Sequence, residues 1–530
     1  MLTGYIKNNQ ISIKGSVFTH SQEMESCGAK WNNCIRGYSL PLAKENLNKL
    51  KAIGVNFSPQ LDEYYTSIES KVKENEENEC VKIINGFKFV DNGFNPVTGE
   101  KDWPKPHQIQ WVKFANDLKC CGFTGDTGVG KTRAAIDSVV NLGAKKVLIV
   151  APKSVIVNFG KEVERWSNYS VCVLNTTNKK RIDLLSEDKF DVYIINYDVL
   201  YTMRAAIKMI KWDAVIFDEM HRVKSPKSDR SKASYKLTSD IPIKIGLTAT
   251  LVSNGEKDAF QPCKILNKSL FGDNFFYFSR FYFKFGGFKN KQIMGLIPDR
   301  REDFYNKLHR LWMGFRMKDI APDMPDAVEQ PIYLKMDASL SKEYKAVKKD
   351  VSENVEFVYA IEKMHYLRQL SSKSEVKRDA LISYIEDLGT GKVIVWACYT
   401  ETINFISDGL HKKGITHGII DGRYKDRNEM VESFQAEDGP QVLVWQLSMS
   451  EGLNAPIAGH AVFYESSFSL QEVLQAKGRN RRMVGSEKNT VVYSYLLNEG
   501  TIDVPIFEAL KKKELTEREV IEYVTREVFK

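Results

Sequence analysis

The stretch Gly125-Asp-Thr-Gly-Val-Gly-Lys131-Thr132 decides how the rest of the 530-residue chain is interpreted. It fits the pattern GxxxxGK[ST], in which glycines let backbone N–H groups curl around phosphate oxygens and the following helix presents its positive N-terminal end. Taken alone, the pattern can also be a glycine-rich turn. Here the helical run Arg133-Ala-Ala-Ile-Asp-Ser-Val-Val140 follows at once, as a phosphate-binding loop requires. We therefore expect Lys131 to reach the β- and γ-phosphates of ATP and the Thr132 hydroxyl to hold Mg²⁺.

Short runs of β-branched residues predict two parallel sheets. Four runs precede residue 250: Val147–Val150, Asp191–Ile195, Ala214–Phe217 and Lys244–Leu247. Five more follow residue 390: Val393–Trp396, Gly418–Ile420, Val442–Trp445, Ala461–Tyr464 and Val491–Tyr495. Segments of helical period alternate with these runs, which is typical of parallel strands joined by crossover helices. The predicted fold class is α/β, with two lobes whose parallel sheets carry helices on both faces.

Composition divides the chain further. Residues 1–60 carry seven Lys or Arg against three acids, whereas residues 61–80 carry seven acids against two lysines. Such an acidic run is most simply a solvated helix end or a linker. The predicted domains are a small basic α+β domain over 1–65, an acidic linker over 66–100, a first lobe over 101–255, a helical, aromatic-rich insertion over 256–375, a second lobe over 376–505 and a C-terminal helix over 506–530.

Composition also argues against several classes of protein. The chain is 43% hydrophobic and 27% charged, the mixture of a globular protein with ample core material. No apolar run approaches the ~18 residues of a membrane span, and we see no export signal. The eight cysteines form no CxxC pair, so reduced thiols and a cytoplasmic location are expected. The net charge of +8 permits a polyanionic partner without requiring one.

A second motif follows the strand predicted at Ala214–Phe217. This strand runs directly into Asp218-Glu219-Met220-His221. Two unpaired acids at the end of a buried strand are costly in a purely structural role. They suit ATP chemistry if Asp218 binds Mg²⁺ through water and Glu219 orients and deprotonates the attacking water. The alternative is a pair of acids capping a helix, and the phosphate-binding loop upstream favours the ATPase.

A third motif is Gln475-Ala-Lys-Gly-Arg479-Asn-Arg-Arg482. Charge runs of this kind usually form a solvated helix face. The spacing of three, however, places Arg479 and Arg482 on one helical face, suited to clamping a γ-phosphate across a cleft. Arginines supplied in this way accelerate other NTPases by ~10³–10⁵. The predicted catalytic residues are therefore Lys131, Asp218, Glu219, Arg479 and Arg482.

Together these motifs resemble superfamily 2 helicases and translocases, and the resemblance covers roughly residues 100–510. It implies two RecA-like lobes with ATP and Mg²⁺ between them, the metal being held by Thr132 and Asp218. Gln108 in Lys105-Pro-His-Gln108 resembles the motif that reads adenine. Three further stretches resemble motifs Ia, III and V: Ala151–Ser154, Thr248–Thr250 and Ser450–Asn454.

The same resemblance implies two further sets of residues. The nucleotide would be bound by Gln108, Gly125, Gly128, Gly130, Lys131, Thr132 and Gln475. The ATP site would be coupled to the nucleic-acid track, and to the neighbouring lobe, through His221, Thr248, Thr250, Glu451 and Gly452.

Within the superfamily, the chain resembles Swi/Snf-like translocases. The similar phrases are Val150-Ala-Pro-Lys-Ser-Val-Ile156, Ile195-Asn-Tyr-Asp198, His221-Arg-Val-Lys-Ser-Pro-Lys-Ser228, Gly246-Leu-Thr-Ala-Thr250 and Gly500-Thr-Ile-Asp503. Gly478 departs from that group, which usually has Asp there, and the accessory modules of chromatin remodellers are missing. Both departures favour a compact phage-type or bacterial DNA helicase.

The resemblance also implies a DNA track across both lobes, gripped through phosphates without sequence preference. The implied contacts are Lys153, Ser154, Asn158 and Tyr197 in the first lobe, and Tyr399, Thr400 and Ser448 in the second. For each residue alone, a surface or capping role is as consistent with the sequence.

Two segments carry weaker signals. The run Phe275-Phe-Tyr-Phe-Ser-Arg-Phe-Tyr-Phe-Lys-Phe285 suits a platform for unpaired bases or, as we favour, an apolar helix packed on the first lobe. Arg280, Lys284 and Lys289 are candidate track contacts in either case. Residues 11–57 are predicted as strand, helix, strand, helix, and faintly resemble the HARP-like modules that recognise DNA structure in annealing helicases. A stability or interaction domain is the alternative.

The predicted function is an ATP-dependent DNA helicase or translocase that remodels branched DNA by branch migration, fork regression or short-range unwinding, in replication, recombination or repair. Branched and duplex DNA are the expected partners, with single-stranded DNA as a further candidate. No membrane and no obligate protein partner are expected, and a monomer suffices because two lobes complete the ATP site. The alternatives are an RNA helicase, a duplex translocase that displaces proteins, and a nucleotide-gated DNA-binding or targeting protein.

Overall fold

The structure of the protein is a computed structural model. It describes residues 2–7, 10–15, 21, 24, 27, 29–32, 36–42, 44–66, 80–93, 101–252, 255–287, 292–353, 357–424, 427–436, 438–450, 452–481 and 490–512. Within these residues, no helix combines the length and the apolar character needed to cross a membrane.

The N-terminal residues form a five-stranded sheet in the order β3-β4-β2-β1-β5. The elements are β1 (Leu2–Lys7), β2 (Gln10–Gly15), β3 (Lys30–Asn32), β4 (Gly37–Pro41), α1 (Lys44–Ala52) and β5 (Asn56–Phe57). Leu2, Ile13, Leu40 and Leu47 belong to a core separate from those of the lobes. The first helix predicted within 11–57 falls mostly outside the described residues, whereas its strands and its second helix are present.

Residues 80–93, predicted as part of an acidic linker, instead form a hairpin packed on the first lobe. Strands β6 (Val81–Ile84) and β7 (Phe87–Val90) pair antiparallel around a two-residue Asn-Gly turn with positive φ at both positions. Backbone atoms of Lys88 exchange two hydrogen bonds of 2.7 Å with the Asn141 side chain. The charge count of the segment gave no sign of the apolar pair Phe89 and Val90, which is buried.

The first lobe contains a parallel seven-stranded sheet in the order β10-β11-β9-β12-β13-β8-β16. Its strands are β8 (Cys120–Gly125), β9 (Val147–Ala151), β10 (Val171–Val173), β11 (Val192–Asn196), β12 (Ala214–Phe217), β13 (Ile243–Thr248) and β16 (Trp312–Phe315). All four strands predicted before residue 250 are present. Because the strands run parallel, the loops after β8, β12 and β13 open at one edge of the sheet.

Helices cover both faces of this sheet. On one face lie α2 (Pro106–Leu118), α3 (Lys131–Asn141) and α4 (Ile156–Trp166). On the other lie α5 (Asn178–Glu187), α6 (Arg204–Met209), α7 (Asp229–Thr238), α8 (Phe260–Leu266), α9 (Phe275–Tyr282) and α10 (Pro298–Leu311). A separate hairpin of β14 (Phe283–Gly286) and β15 (Gln292–Leu296) follows α9, and α11 (Met317–Ile320) follows β16.

The second lobe contains a parallel six-stranded sheet in the order β17-β22-β21-β18-β20-β19. Its strands are β17 (Val328–Leu334), β18 (Val393–Ala397), β19 (His417–Ile420), β20 (Val442–Gln446), β21 (His460–Phe463) and β22 (Val492–Asn498). Helices α14 (Glu375–Asp387) and α15 (Thr400–Lys412) cover one face. The other face carries α12 (Ala338–Glu353), α13 (Phe357–Ser372), α16 (Arg427–Gln435), α17 (Leu470–Lys477) and α18 (Asp503–Lys511).

The predicted α/β class with two RecA-like lobes is confirmed. Two strands of the predicted insertion 256–375 nevertheless belong to the sheets: β16 is an edge of the first and β17 an edge of the second. The boundaries at 255 and 376 therefore do not coincide with the limits of the two sheets. The predicted C-terminal helix begins at Asp503, and residues beyond 512 lie outside the described part of the chain.

Candidate nucleotide site between the two lobes

The phosphate-binding loop connects β8 to α3 at the carboxyl edge of the first sheet. Gly128 and Gly130 have φ values of 86° and 84°, in the left-handed region that glycine adopts without strain. Lys131 is the first residue of α3, and its Nζ donates hydrogen bonds to the carbonyl oxygens of Gly125 at 2.6 Å and Asp126 at 2.8 Å. The ammonium group thus lies inside the loop, where a phosphate oxygen can replace either carbonyl.

Helix α2 supports this loop through two adjacent side chains. Gln108 accepts a hydrogen bond from the Lys105 N–H at 2.8 Å and donates one to the Gly130 carbonyl at 3.2 Å. Burial lowers the pKa of His107, and its neutral ring donates Nε2–H to the Val129 carbonyl at 2.8 Å. Sequence reasoning found Gln108 but missed His107, although the two are neighbours. Both amide atoms of Gln108 bind the chain here, so its side chain holds the loop.

Asp218 follows β12 at the same edge, and its backbone is held from two sides. Its N–H donates to the Val150 carbonyl at 2.8 Å, and its carbonyl accepts a hydrogen bond of 2.7 Å from Tyr197 Oη. Tyr197 is 2% exposed, and burial raises its pKa. The side chain of Tyr197, which is predicted to contact DNA, is turned inward in this arrangement and supports Asp218.

Glu219 has a left-handed backbone, with φ of 49°, which turns the chain sharply after the strand. Its Oε2 lies 3.2 Å from Nδ1 of His221. Burial alone would raise the pKa of Glu219, but His221, Lys131 and Arg479 lower it to about 2. The carboxylate is therefore ionised at neutral pH, as a group that accepts a proton from water must be.

His221 connects the two lobes. Its Nδ1 also lies 3.2 Å from Thr248 Oγ1, and Thr248 in turn bonds the backbone of Thr250. On the other side of the ring, the amide nitrogen of Gln471 lies 2.5 Å from Nε2. An amide nitrogen only donates, so Nε2 accepts, and the Nδ1–H is the donor to Thr248 Oγ1.

Gln471 was missed from the sequence. It lies on α17, one helical turn before Gln475 of the third motif, and that spacing of four places both on one helical face. The spacing therefore indicated that Gln471 and Gln475 share a helical face, but it could not indicate that Gln471 contacts His221, 250 residues away in the chain.

The third motif reaches the phosphate-binding loop from the second lobe. A Cβ atom added to Gly478 would lie 1.6 Å from Thr127 Oγ1, so the backbone of the motif rests against the loop. Arg479 is buried and donates hydrogen bonds to the carbonyls of Gln475 at 3.1 Å and Leu453 at 3.2 Å. Gln475 is 4% exposed, and its Nε2 finds no hydrogen-bond acceptor in the described structure. Arg482, predicted as catalytic, lies outside the described residues.

A second contact between the lobes joins motifs Ia and V. Asn158 Nδ2 donates to the Gly452 carbonyl at 2.7 Å, and a Cβ at Gly452 would lie 2.9 Å from the Ser154 carbonyl oxygen. A cavity of about 420 Å³ opens here, lined by Gly128 and Asn158 from one lobe and by Gly452 and Asn454, among others, from the other. Glu451 lies outside the described residues.

The remaining predicted track residues are not gathered at this contact. Lys153, Thr400 and Ser448 are exposed. Tyr399 is partly buried, and its hydroxyl lies 2.8 Å from Nδ1 of His365.

The residues predicted to hold a metal are Thr132 and Asp218. A hydroxyl and a carboxylate are oxygen donors, which Mg²⁺ prefers, and Mg²⁺ usually takes its other ligands from water and substrate phosphates. In the described part of the chain there is no cluster of three or more His, Cys, Asp or Glu that would hold a metal without such help. The donors therefore fit a metal that arrives with a nucleotide.

Comparisons with known proteins cover most of the chain. The family profile of the SNF2-related domain matches residues 60–388, and that of the helicase conserved C-terminal domain matches residues 376–484. An uncharacterized ATP-dependent helicase of Mycoplasma pneumoniae is 23% identical over 78% of this chain and 42% of its own length. The ISWI chromatin-remodeling complex ATPase ISW1 of Saccharomyces cerevisiae is 22% identical over 77% of this chain and 40% of its own. The chain thus spans about two fifths of these relatives.

Two solved structures are similar to this chain at lower sequence identity than these relatives. The Sulfolobus solfataricus SWI2/SNF2 ATPase core in complex with dsDNA has a TM-score of 0.39 at 19% identity, covering 81% of this chain and 95% of that one. The Pyrococcus furiosus Hef helicase domain has a TM-score of 0.48 at 16% identity, covering 77% and 98%.

Proposed function

The chain belongs to the SNF2-related family of ATP-dependent helicases, whose members are ATPases, and from this premise we propose that it couples ATP hydrolysis to movement on DNA and remodels branched DNA. The proposed reactions are branch migration, fork regression and short-range unwinding. We place them in the cytoplasm, at the nucleoid or in an infected host cell.

One observation carries the proposal: groups from both lobes converge on the Glu219 carboxylate. Its Oε2 lies 3.2 Å from Nδ1 of His221, and His221, Lys131 of the first lobe and Arg479 of the second all lower its pKa. In a phosphoryl-transfer site, such an arrangement holds the phosphates, orients the attacking water and stabilises the charge that develops on the γ-phosphate. Because these groups come from both lobes, they act on one nucleotide only when the two lobes are in contact.

Each group then has a defined part. Lys131 exchanges its two loop carbonyls for phosphate oxygens, and Glu219, ionised throughout the physiological range, accepts the proton of the attacking water. Arg479 would stabilise the charge that develops on the γ-phosphate. The unsatisfied Nε2 of Gln475 is a further buried donor for a phosphate oxygen. Mg²⁺, held by Thr132 and Asp218, would neutralise phosphate charge when ATP is bound.

The contact between His221 and Gln471 supports coupling between hydrolysis and lobe movement. Glu219 touches the ring on one side and the second lobe touches it on the other, so a change in lobe spacing alters the environment of the carboxylate. Thr248 and Thr250 extend this contact along the edge of the first sheet.

Movement on DNA is supported by the second inter-lobe contact. Asn158 and Gly452 belong to opposite lobes and meet at the cavity, so residues around them change spacing when the lobes move. Lys153, Thr400 and Ser448 are exposed and available to phosphates. The N-terminal domain touches the second lobe through Ser39 Oγ and Asp438 Oδ2, 3.2 Å apart, which supports a role for it in presenting branched DNA to the motor.

The test is ATP-dependent dissociation of a synthetic four-way DNA junction, with Lys131→Ala as the inactive control. Dissociation into duplex arms by the intact protein, and none by the variant, supports branch migration. ATPase activity stimulated by linear duplex without dissociation indicates a translocase that displaces proteins. Stimulation by RNA instead of DNA indicates an RNA helicase.

The N-terminal domain is tested by deleting residues 1–66, which leaves the hairpin at 80–93 in place on the first lobe. Duplex-stimulated ATPase should persist, and the preference for a junction over a linear duplex should fall. A deletion variant with the full preference would assign the domain a structural role.

A further inference from the structure

Helix α9 has one aromatic face in the core of the first lobe. Phe278 and Tyr282 are buried, and the Phe278 ring lies 4.8 Å from that of Phe260 between centroids. Asn274 caps the helix by accepting a hydrogen bond of 2.9 Å from the Phe276 N–H. This half of the segment agrees with the packed-helix interpretation.

The opposite face of α9 is aromatic as well, but it faces solvent. Phe276, Tyr277 and Phe281 are 60%, 71% and 47% exposed. The Phe276 and Tyr277 rings are 5.8 Å apart, and Tyr277 and Phe281, four residues apart, are neighbours on the helix surface. Single exposed aromatic residues are ordinary on a protein surface, whereas three adjacent ones form a continuous π surface.

Arginines lie against this surface. The Arg280 guanidinium is 4.4 Å from the Phe285 ring and 5.5 Å from that of Phe276, and Arg300 is 4.3 Å from the Phe281 ring. Within the described residues, neither arginine forms a salt bridge. The acid whose charge interacts with Arg300 is Asp303, which is itself bonded to Tyr282 and Lys307.

The surrounding sequence is basic, with Asp273, Glu302 and Asp303 just outside it. Residues 274–301 contain six Lys or Arg and a single acid, Asp299. A protein partner would have to bring carboxylates to several separate cations, whereas a polyphosphate chain brings a negative charge at every unit. Charge therefore favours a nucleic acid as the occupant.

We propose that this aromatic–cationic face, formed by Phe276, Tyr277, Arg280, Phe281 and Arg300, binds the unpaired bases of single-stranded DNA. Each base has a π face that stacks on an aromatic ring regardless of sequence, and duplex bases hide that face from side chains. None of these five residues lines the cavity between the lobes, and the face would hold a strand released while the motor separates a branch. This proposal rests on the proposed function as a DNA motor, and it adds that the motor binds single-stranded DNA.

The experiment measures fluorescence anisotropy of a labelled oligothymidylate and of an abasic oligomer with the same backbone, using the full-length protein. We expect the intact protein to bind the oligothymidylate more tightly. Phe276→Ala/Tyr277→Ala should weaken that binding by about tenfold and leave the abasic oligomer almost unaffected. Tyr277→Phe should retain binding because it retains the ring. Tyr333→Ala is the matched control, since Tyr333 is 51% exposed on an edge strand of the other lobe.

The outcomes separate this proposal from the function it rests on. If the double variant binds oligothymidylate as tightly as Tyr333→Ala does, or if the intact protein does not prefer bases to abasic backbone, the base-binding site is refuted. Duplex-stimulated ATPase, measured on the same proteins, should be equal in all of them. Its absence in the intact protein would refute the DNA motor instead. Should the double variant fail to fold, Tyr277→Ala alone gives the same comparison at a mostly exposed side chain.

Discussion

Replacing Gly478 by alanine should separate the two halves of the ATP site. The added Cβ would lie 1.6 Å from Thr127 Oγ1, whereas ordinary van der Waals contact begins at 3.4 Å, so the motif and the loop must move apart by about 2 Å. The loop can move little, because Gly128 and Gly130 define its turn and Asp126 Oδ2 accepts a hydrogen bond of 2.6 Å from the Met317 N–H. The second lobe must therefore give way.

The catalytic effect follows from the position of the next residue. Arg479 moves with Gly478, and a displacement of ~1 Å in a positioned catalytic group can cost ~10²-fold in rate. We therefore expect Gly478→Ala to lower kcat for ATP hydrolysis by about 100-fold, or ~2.7 kcal/mol of transition-state stabilisation. Affinity for ATP should change little, because Lys131 and Thr132 lie on the first lobe and are untouched.

Steady-state ATPase assays with duplex DNA, together with equilibrium binding of a fluorescent ATP analogue, measure the two quantities separately. Gly459→Ala is the matched control, since a Cβ at that second-lobe glycine meets nothing within 4 Å. Thr127→Gly removes the three atoms nearest to the added Cβ and should restore part of the rate in the Gly478→Ala background. The reasoning fails if Gly478→Ala hydrolyses ATP as fast as Gly459→Ala does.

Three further predictions concern single groups of the site. Arg479→Ala should lower kcat by ~10³-fold at nearly constant ATP affinity, measured by steady-state kinetics and nucleotide binding; a loss confined to affinity would make it a binding residue. His221→Ala should move the acidic limb of the ATPase pH profile to higher pH, because His221 lowers the pKa of Glu219 against the opposing effect of burial; an unmoved limb would exclude Glu219 as the titrating base. Tyr197→Phe should lower the free energy of unfolding, measured in urea, by ~1–3 kcal/mol, because it removes the hydroxyl that donates to the Asp218 carbonyl. If stability is unchanged and DNA binding is weakened, Tyr197 contacts DNA, as the sequence predicts.

The sheets were largely predictable because their strands are buried on both faces. A strand of that kind is a continuous apolar run, and all nine predicted runs form strands. Two edge strands, β16 and β17, lacked this signal. β17 contains Pro331 and several exposed residues, as an edge position tolerates. β16 is four residues long and follows α10 directly, so its apolar residues read as the end of a helix.

The site was predictable where its residues are contiguous and less so where they meet across the fold. A phosphate-binding loop is a local structure, so its spacing alone placed Lys131 and Thr132. The inward orientation of Tyr197 depends on β11 lying beside β9 and close to the end of β12, which is a property of sheet order. The pairing of Gln471 with His221 depends on how the two lobes meet, for which neither residue carries a local signal.

Glycine positions in the second lobe set the distance between the lobes. Gly452 and Gly478 each bring their backbone against the first lobe, at Ser154 and Thr127, at points where a Cβ would lie within 3 Å of it. One of these contacts involves the loop that must hold the phosphates, and the other involves motif Ia beside the proposed track. A nucleotide that displaces the loop carbonyls from Lys131 acts on the same loop that carries Thr127, and so on the contact with Gly478. Because neither glycine has a side chain to hold the lobes apart, we expect binding of phosphate in the first lobe to shift the contact that the second lobe makes at Gly478.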